Sequence, residues 1–243
     1  MENLIISIKN LNKKKALKMD AHLDCKEKKL AHYESTIQTP SYSNIIMLKN
    51  EVFQIMKELE GWCSTEKASI LMDIILGTKP KIILEIGVFG GKSLIPMAFA
   101  AKFNKTGKVY GIDPWTKEAS SDGLTDDHLK WWSTINHDKI LKGLNSKIKQ
   151  FGLEPEIELI RSTSEDCQFI SNINILHIDG NHSEKASYLD VTKWVPLVES
   201  GGIIIFDDLN WSSTMLAVEW LNANCIKLAE FKSDNIWGVW IKP

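Results

Sequence analysis

The chain reads as an α/β protein with a doubly wound sheet, and three features of the sequence predict it. Short apolar runs alternate with helical patterns from residue 81 to residue 241. A glycine-rich turn, Gly87-Val88-Phe89-Gly90-Gly91, follows the first run and opens a helix. Acids or small polar residues stand directly after most of the runs, where a sheet of this kind binds its ligands.

The 243 residues suffice for one large α/β domain with additions. Net charge is -2, which points to no nucleic acid. Residues 1–30 hold eight lysines against four acids, so residues 1–40 read as a basic N-terminal arm. His22, Asp24, Cys25 and His32 in that arm match no metal-ligand spacing and read as a solvated face. The arm and the helices after it offer a surface for homo-oligomers. Four separated cysteines without a CxxC pair suit a reducing cytoplasm. No run reaches the roughly 18 apolar residues of a membrane span, and the opening MENLIISIKN lacks a leader's cleavage site.

Residues 41–80 form a helical cap. Ile45, Leu48, Val52, Ile55, Met56 and Leu59 recur at helical spacing up to Gly61. Ser64 or Thr65 caps a second helix with the stripe Ala68, Leu71, Met72 and Ile75, closed by Gly77 and Pro80. These two helices are expected to cover one side of the ligand mouth. The main domain, 81–243, has expected strands at 81–86, 108–112, 156–160, 173–178, 203–206, 226–231 and 236–241, the last two forming a hairpin. Ser183 caps a helix at 184–197, with Glu184 in its first turn. Residues 116–152 exceed a plain connection and read as an inserted helical lid. In and beside it, Trp115, Trp131 and Trp132 either line a substrate pocket or pack the lid onto the body.

The chemistry collects at strand ends. Glu85, Asp113, Ser164, Asp179, His182, Asp207 and Asp208 all fall there. Asp179, Asp207 and Asp208 would repel one another without a cation. Their oxygens suit a hard ion, Mg²⁺ or Mn²⁺; helix capping and turn formation are the alternative roles. His182, three residues after Asp179, can take a proton from a hydroxyl. His177, inside a strand, reads as a packing histidine, and His128 and His137 as solvated lid residues. The turn lacks the second glycine of GxGxxG, which disfavours a pyrophosphate ligand.

LEIGVFGGKS, YGID, the Ser164 loop, HIDGNHS and IIIFDD, in this order, resemble the metal-dependent branch of class I S-adenosylmethionine (SAM)-dependent O-methyltransferases, of the catechol and macrocin O-methyltransferase types. The resemblance spans about 81–241. It implies a Rossmann-like, seven-stranded fold and SAM as methyl donor. Glu85, Gly87, Phe89, Gly91 and Ser93 would shape the methionine end of the SAM site. Asp113 would hold the ribose, and Ser162, Ser164 and Trp115 would lie near the adenine. Asp179, Asp207 and Asp208 would hold the metal, with Asp179 and His182 acting on a small hydroxylated acceptor, a sugar or another vicinal diol. Two rivals share the core: an iron enzyme similar to cephalosporin hydroxylase, which would want a second histidine, and a SAM-binding protein without catalysis.

Overall fold

The computed structural model describes residues 42–123, 126–168, 170–233 and 235–243, with backbone alone for 126–129. The basic arm, its His22, Asp24, Cys25 and His32, and the His128 side chain therefore lie outside the described residues. Two compact units divide the chain, residues 1–47 and 48–243. Of the first, only 42–47 are described, the opening of helix α1 (Tyr42–Ile55).

After α1 and a single 3-10 turn, Ser64 accepts the Lys67 N–H and caps α2 (Thr65–Thr78). Its end differs from the expectation. Gly77 stays inside the helix, and Lys79 takes the left-handed conformation, φ 50°, to close it. The sheet follows as β1 (Ile82–Ile86), β2 (Lys108–Asp113), β3 (Ile157–Arg161), β4 (Ile173–Ile178), β5 (Val198–Phe206), β6 (Ile226–Lys232) and β7 (Ile236–Ile241). Strand order is β3-β2-β1-β4-β5-β7-β6. The first five are parallel, and the β6–β7 hairpin joins β5 antiparallel. The order reverses between β1 and β4, which leaves a crevice beyond their carboxyl ends.

Helix α3 (Leu94–Asn104) links β1 to β2, α7 (Glu184–Trp194) links β4 to β5, and α8 (Met215–Asn224) leads into β6. Where one lid helix was expected there are three: α4 (Lys117–Ser121), α5 (Asp126–Thr134) and α6 (His137–Gln150). The last buries Ile140, Leu144 and Ile148 and carries the chain back to β3.

Alternation along the strands decides which side chains meet. Leu84 and Ile86, Leu176 and Ile178, and Ile204 and Phe206 face a core completed by Val191 and Trp194 of α7 and Ala217 and Leu221 of α8. The intervening positions point the other way. Glu85 and His177, neighbours across β1 and β4, are both fully buried on that second face. Asp179 and Asp207 continue the same alternation past the strand ends. No helix among the described residues is long and apolar enough to cross a membrane.

Candidate active site

A cavity of about 810 Å³ opens at the carboxyl ends of β1, β2, β4 and β5. Gly87, Asp113, Ser164, Asp179, His182 and Asp208 all lie on its wall. Phe89 and Ser93 join them, and Gly61, Trp62, Cys63 and Lys67 contribute from around the start of α2.

The glycine turn is set by contacts at its back. A Cβ on Gly87, φ +86°, would stand 2.0 Å from the Asp179 carbonyl oxygen, so only glycine lets the β1 and β4 loops touch. Gly91 serves packing: a Cβ there would meet Leu144 of α6 at 2.5 Å. Asp113 organises the rim. Its Oδ2 accepts the N–H groups of Val88 and Phe89 at 3.0 and 2.9 Å, and Oδ1 accepts that of Trp115 at 2.7 Å. Phe89 and Trp115 both hold a left-handed backbone, φ 47° and 44°. That costs a bulky residue roughly 1–2 kcal/mol, so the Asp113 bonds hold strained backbone at the rim.

Four of the expected cofactor residues sit behind the wall, Gly91 among them. Trp115 is buried, and its indole N–H donates to the Phe89 carbonyl. Ser162 turns its hydroxyl to the Thr163 carbonyl. Glu85 lies under the floor, where it accepts from the Ser93 hydroxyl and bonds His177 Nδ1 at 2.8 Å.

The three acids do not form one donor set. Two groups can hold a cation: His177, Asp179 and Asp207, and Asp179, His182 and Asp208. Asp179 belongs to both, and Asp207 and Asp208 part where Asp208, beyond the end of β5, takes a left-handed backbone, φ 56°. The inner group already holds a cation. Lys67, 3% exposed, binds Asp207 directly and lies 3.5 Å from Asp179. Burial disfavours its charge, but Asp207 and Asp179 outweigh burial and raise its pKa above the ordinary lysine range. Burial pushes Asp207 upward, but the Lys67 charge beside it and the His177 bond hold it well below the usual carboxylate range. Burial and then the Asp207 charge push Asp179 up to about 8. Burial and Lys67 act downward on His177, yet its bonds to Asp207 and Glu85 carry it up to about 9. His177 is thus buried as expected, but as a member of a polar network with Glu85 and Asp207.

The outer group faces the cavity. His182 Nε2 lies 2.8 Å from Asp208 Oδ2, and the ring packs edge-on against Trp211 at 4.7 Å. Burial lowers the His182 pKa, and the Asp208 bond and charge raise it above the ordinary value on balance. Asn235, from the β6–β7 turn, donates to the other Asp208 oxygen at 2.9 Å. His182 is the only histidine on the cavity wall among the described residues.

Opposite stands an aromatic wall. Trp62 stacks on Phe89 at 5.5 Å, and Trp131 and Trp132 close against both. Trp62 is 61% exposed. His137, expected to be solvated, is instead buried and stacked on Trp132 at 6.0 Å. Asp190 of α7 is a further wall residue. It is 1% exposed, its Oδ1 has no partner, and burial drives its pKa up to about 7 despite a bond from Ser164. Lys67 and Asp190 escaped the sequence reading. The available signal was a charged residue on a buried stripe, Lys67 in line with Leu71 and Ile75, and Asp190 beside Val191 and Trp194.

The profile of a family described as a methyltransferase domain matches residues 84–209. This chain belongs to that methyltransferase-domain family. A caffeoyl-CoA O-methyltransferase of Stellaria longipes is 28% identical over 155 residues, covering 63% of this chain and 56% of the plant protein. The chain thus spans little more than half of that relative's length. Among solved structures, an O-methyltransferase from Bacillus cereus in complex with SAH has a TM-score of 0.57 at 17% identity, covering 87% of this chain and 96% of that one. One from Streptomyces achromogenes, involved in tomaymycin synthesis and in complex with SAM, has a TM-score of 0.56 at 14% identity, covering 88% and 96%. These similarities extend the agreement to the whole Rossmann-like fold. The matched span of the methyltransferase domain holds Asp113, Asp179, His182, Asp207 and Asp208, while Lys67 precedes it and Asn235 follows it.

Proposed function

We propose that this chain is a SAM-dependent O-methyltransferase that methylates a hydroxyl of a small molecule, a sugar or another vicinal diol. One observation carries the reading: a single cavity runs from the glycine turn and Asp113 to Asp179, His182 and Asp208. Its volume is within the range of ligand sites, about 300–1,000 Å³. The SAM- and SAH-bound neighbours and the plant O-methyltransferase support the same activity.

The residues present fit SAM. Gly87 permits close approach of the backbone, and Asp113 Oδ1, bonded to Trp115 N–H alone, keeps acceptor capacity for a ribose hydroxyl. SAM supplies an electrophilic methyl group on sulfur. The chain's part is to bring an acceptor hydroxyl in line with it and to remove the proton. His182 is the group for that proton, with Asp208 stabilising the imidazolium that results. The aromatic wall of Trp62, Phe89, Trp131 and Trp132 suits the flat face of a ring.

A divalent ion fits the outer group and not the inner one, where Asp207 already holds Lys67. Asp179 and Asp208 would hold Mg²⁺ or Mn²⁺, which when bound lowers the pKa of a hydroxyl and fixes two neighbouring oxygens. The iron alternative gains nothing, because His177 is spent on Glu85 and Asp207. The buried free thiols Cys63, Cys167 and Cys225 suit the proposed cytoplasmic setting.

The test is transfer of a labelled methyl group from SAM to a panel of sugars and catechol-like diols. His182→Ala should lower turnover by roughly 10²–10⁴-fold while S-adenosylhomocysteine (SAH) binds as before. Retained turnover in that variant would remove the base. No transfer to any hydroxyl compound, with SAH bound, would leave a SAM-binding protein without catalysis.

A further inference from the structure

Lys67 is the residue of the site that the proposed chemistry leaves unused. A lysine that is 3% exposed needs a reason to be buried, since an unpaired ammonium in the interior costs several kcal/mol. Its partners are Asp207, bound directly, and Asp179 at 3.5 Å. The Trp237 ring lies 5.9 Å away. The ammonium is carried by α2, whose other buried positions, Ala68, Leu71, Met72 and Ile75, lock the helix into the body. Its charge therefore sits at a fixed point between two carboxylates, where a small cation would otherwise sit.

We infer that Lys67 is a tethered cation that reserves Asp207, confines any divalent ion to Asp179 and Asp208, and sets how strongly the site holds that ion. Two features support it. Asp207 has one oxygen on Lys67 and His177, while its other oxygen is buried without a partner, turned away from solvent and off the cavity wall. Asp179 and Asp208, by contrast, are on the wall. Coulomb repulsion between an ammonium and a divalent ion is about 8 kcal/mol at 4 Å with an effective dielectric constant of 20, enough to keep the ion off Asp207, which Lys67 binds directly, and to weaken it at Asp179, which Lys67 reaches at 3.5 Å. The inference refines the proposed metal site, and it can fail while SAM-dependent methylation stands.

The experiment is calorimetric titration of Mn²⁺ into wild type, Lys67→Met, Asp208→Asn and the double variant Lys67→Met/Asp207→Asn. SAH binding is measured on each as the check of folding. Lys67→Met frees Asp207 and removes the competing charge, so Mn²⁺ affinity should rise at least about tenfold. Asp208→Asn should lose at least about tenfold, because a charged ligand oxygen is replaced by a neutral one. The double variant loses a buried pair together, which a fold tolerates far better than loss of one partner. It should bind Mn²⁺ within about threefold of wild type, since the lost positive and negative charges offset each other at Asp179 and Asp208 and neither group is a ligand. An unchanged affinity in Lys67→Met overturns the inference. So does a loss in the double variant as deep as in Asp208→Asn, because Asp207 would then be a ligand. Binding by Lys67→Met alone, with none by wild type, upholds the role of Lys67 and removes the metal from the native site. Binding by neither overturns it.

Discussion

Two halves of one acidic cluster behave in opposite ways. At the floor and beneath it, Lys67, Glu85, His177 and Asp207 are buried and pair with one another. On the wall, Asp179, His182 and Asp208 face open space, with one ion pair among them, His182 to Asp208. Similar side chains, a few residues apart, do different work. Buried charge must find its partners inside the protein, whereas wall charge can wait for a ligand. The inner half should therefore govern stability and the outer half catalysis.

The sharpest way to break that contrast is His177→Ala. It removes the buried partner of Glu85, while Asp207 keeps Lys67, and should cost about 3–5 kcal/mol of unfolding free energy in urea. A loss under about 1 kcal/mol, the scale of a surface pair, would make the inner network no more structural than the outer.

Asp190 sharpens the contrast from another side, because it is buried like the inner acids but the Lys193 charge only partly offsets its burial. Its pKa is about 7 in the fold against 3.8 for an ordinary aspartate. The folded state thus holds this proton more tightly than the unfolded chain does. Stability should be highest at or below pH 4, fall as pH rises towards 7, and level off above it. The drop from this one group should be on the order of a few kcal/mol. Asp190→Asn should flatten that part of the profile when melting is followed from pH 5 to pH 8. An unchanged slope would mean that the carboxyl ionises freely in the fold.

The smallest effect belongs to His182. Its pair with Asp208 is partly open to solvent, so His182→Ala should alter unfolding free energy by no more than about 1 kcal/mol. A larger loss would move His182 into the structural half.

Much of the frame was legible in the sequence because strand ends in a parallel sheet are marked by local pattern. Ile82–Ile86, Ile173–Ile178 and the final hairpin fall where apolar runs stop at acids or turns. The division of the cluster was not legible. Asp207 and Asp208 are neighbours in sequence and read as a pair, although the left-handed backbone of Asp208 puts them in different groups. Lys67 was hidden by distance, being 140 residues from its partner Asp207. Trp115 looked like a ligand contact because it follows Asp113, but its left-handed backbone sends the indole inward to Phe89. His137 was assigned to solvent by the polar sequence around it, and stacking on Trp132 buries it.

The contact from Asn235 to Asp208 has a consequence for biosynthesis. The cavity is stitched from residues far apart in sequence, Lys67 ahead of the sheet and Asn235 in its last hairpin. A nascent chain can lay down its five parallel strands before the last hairpin leaves the ribosome, yet Asp208 gains its amide partner only when that hairpin docks. Competence should therefore arrive abruptly with the final strand, and products cut short before Asn235 should lack a finished pocket even where their sheet is sound.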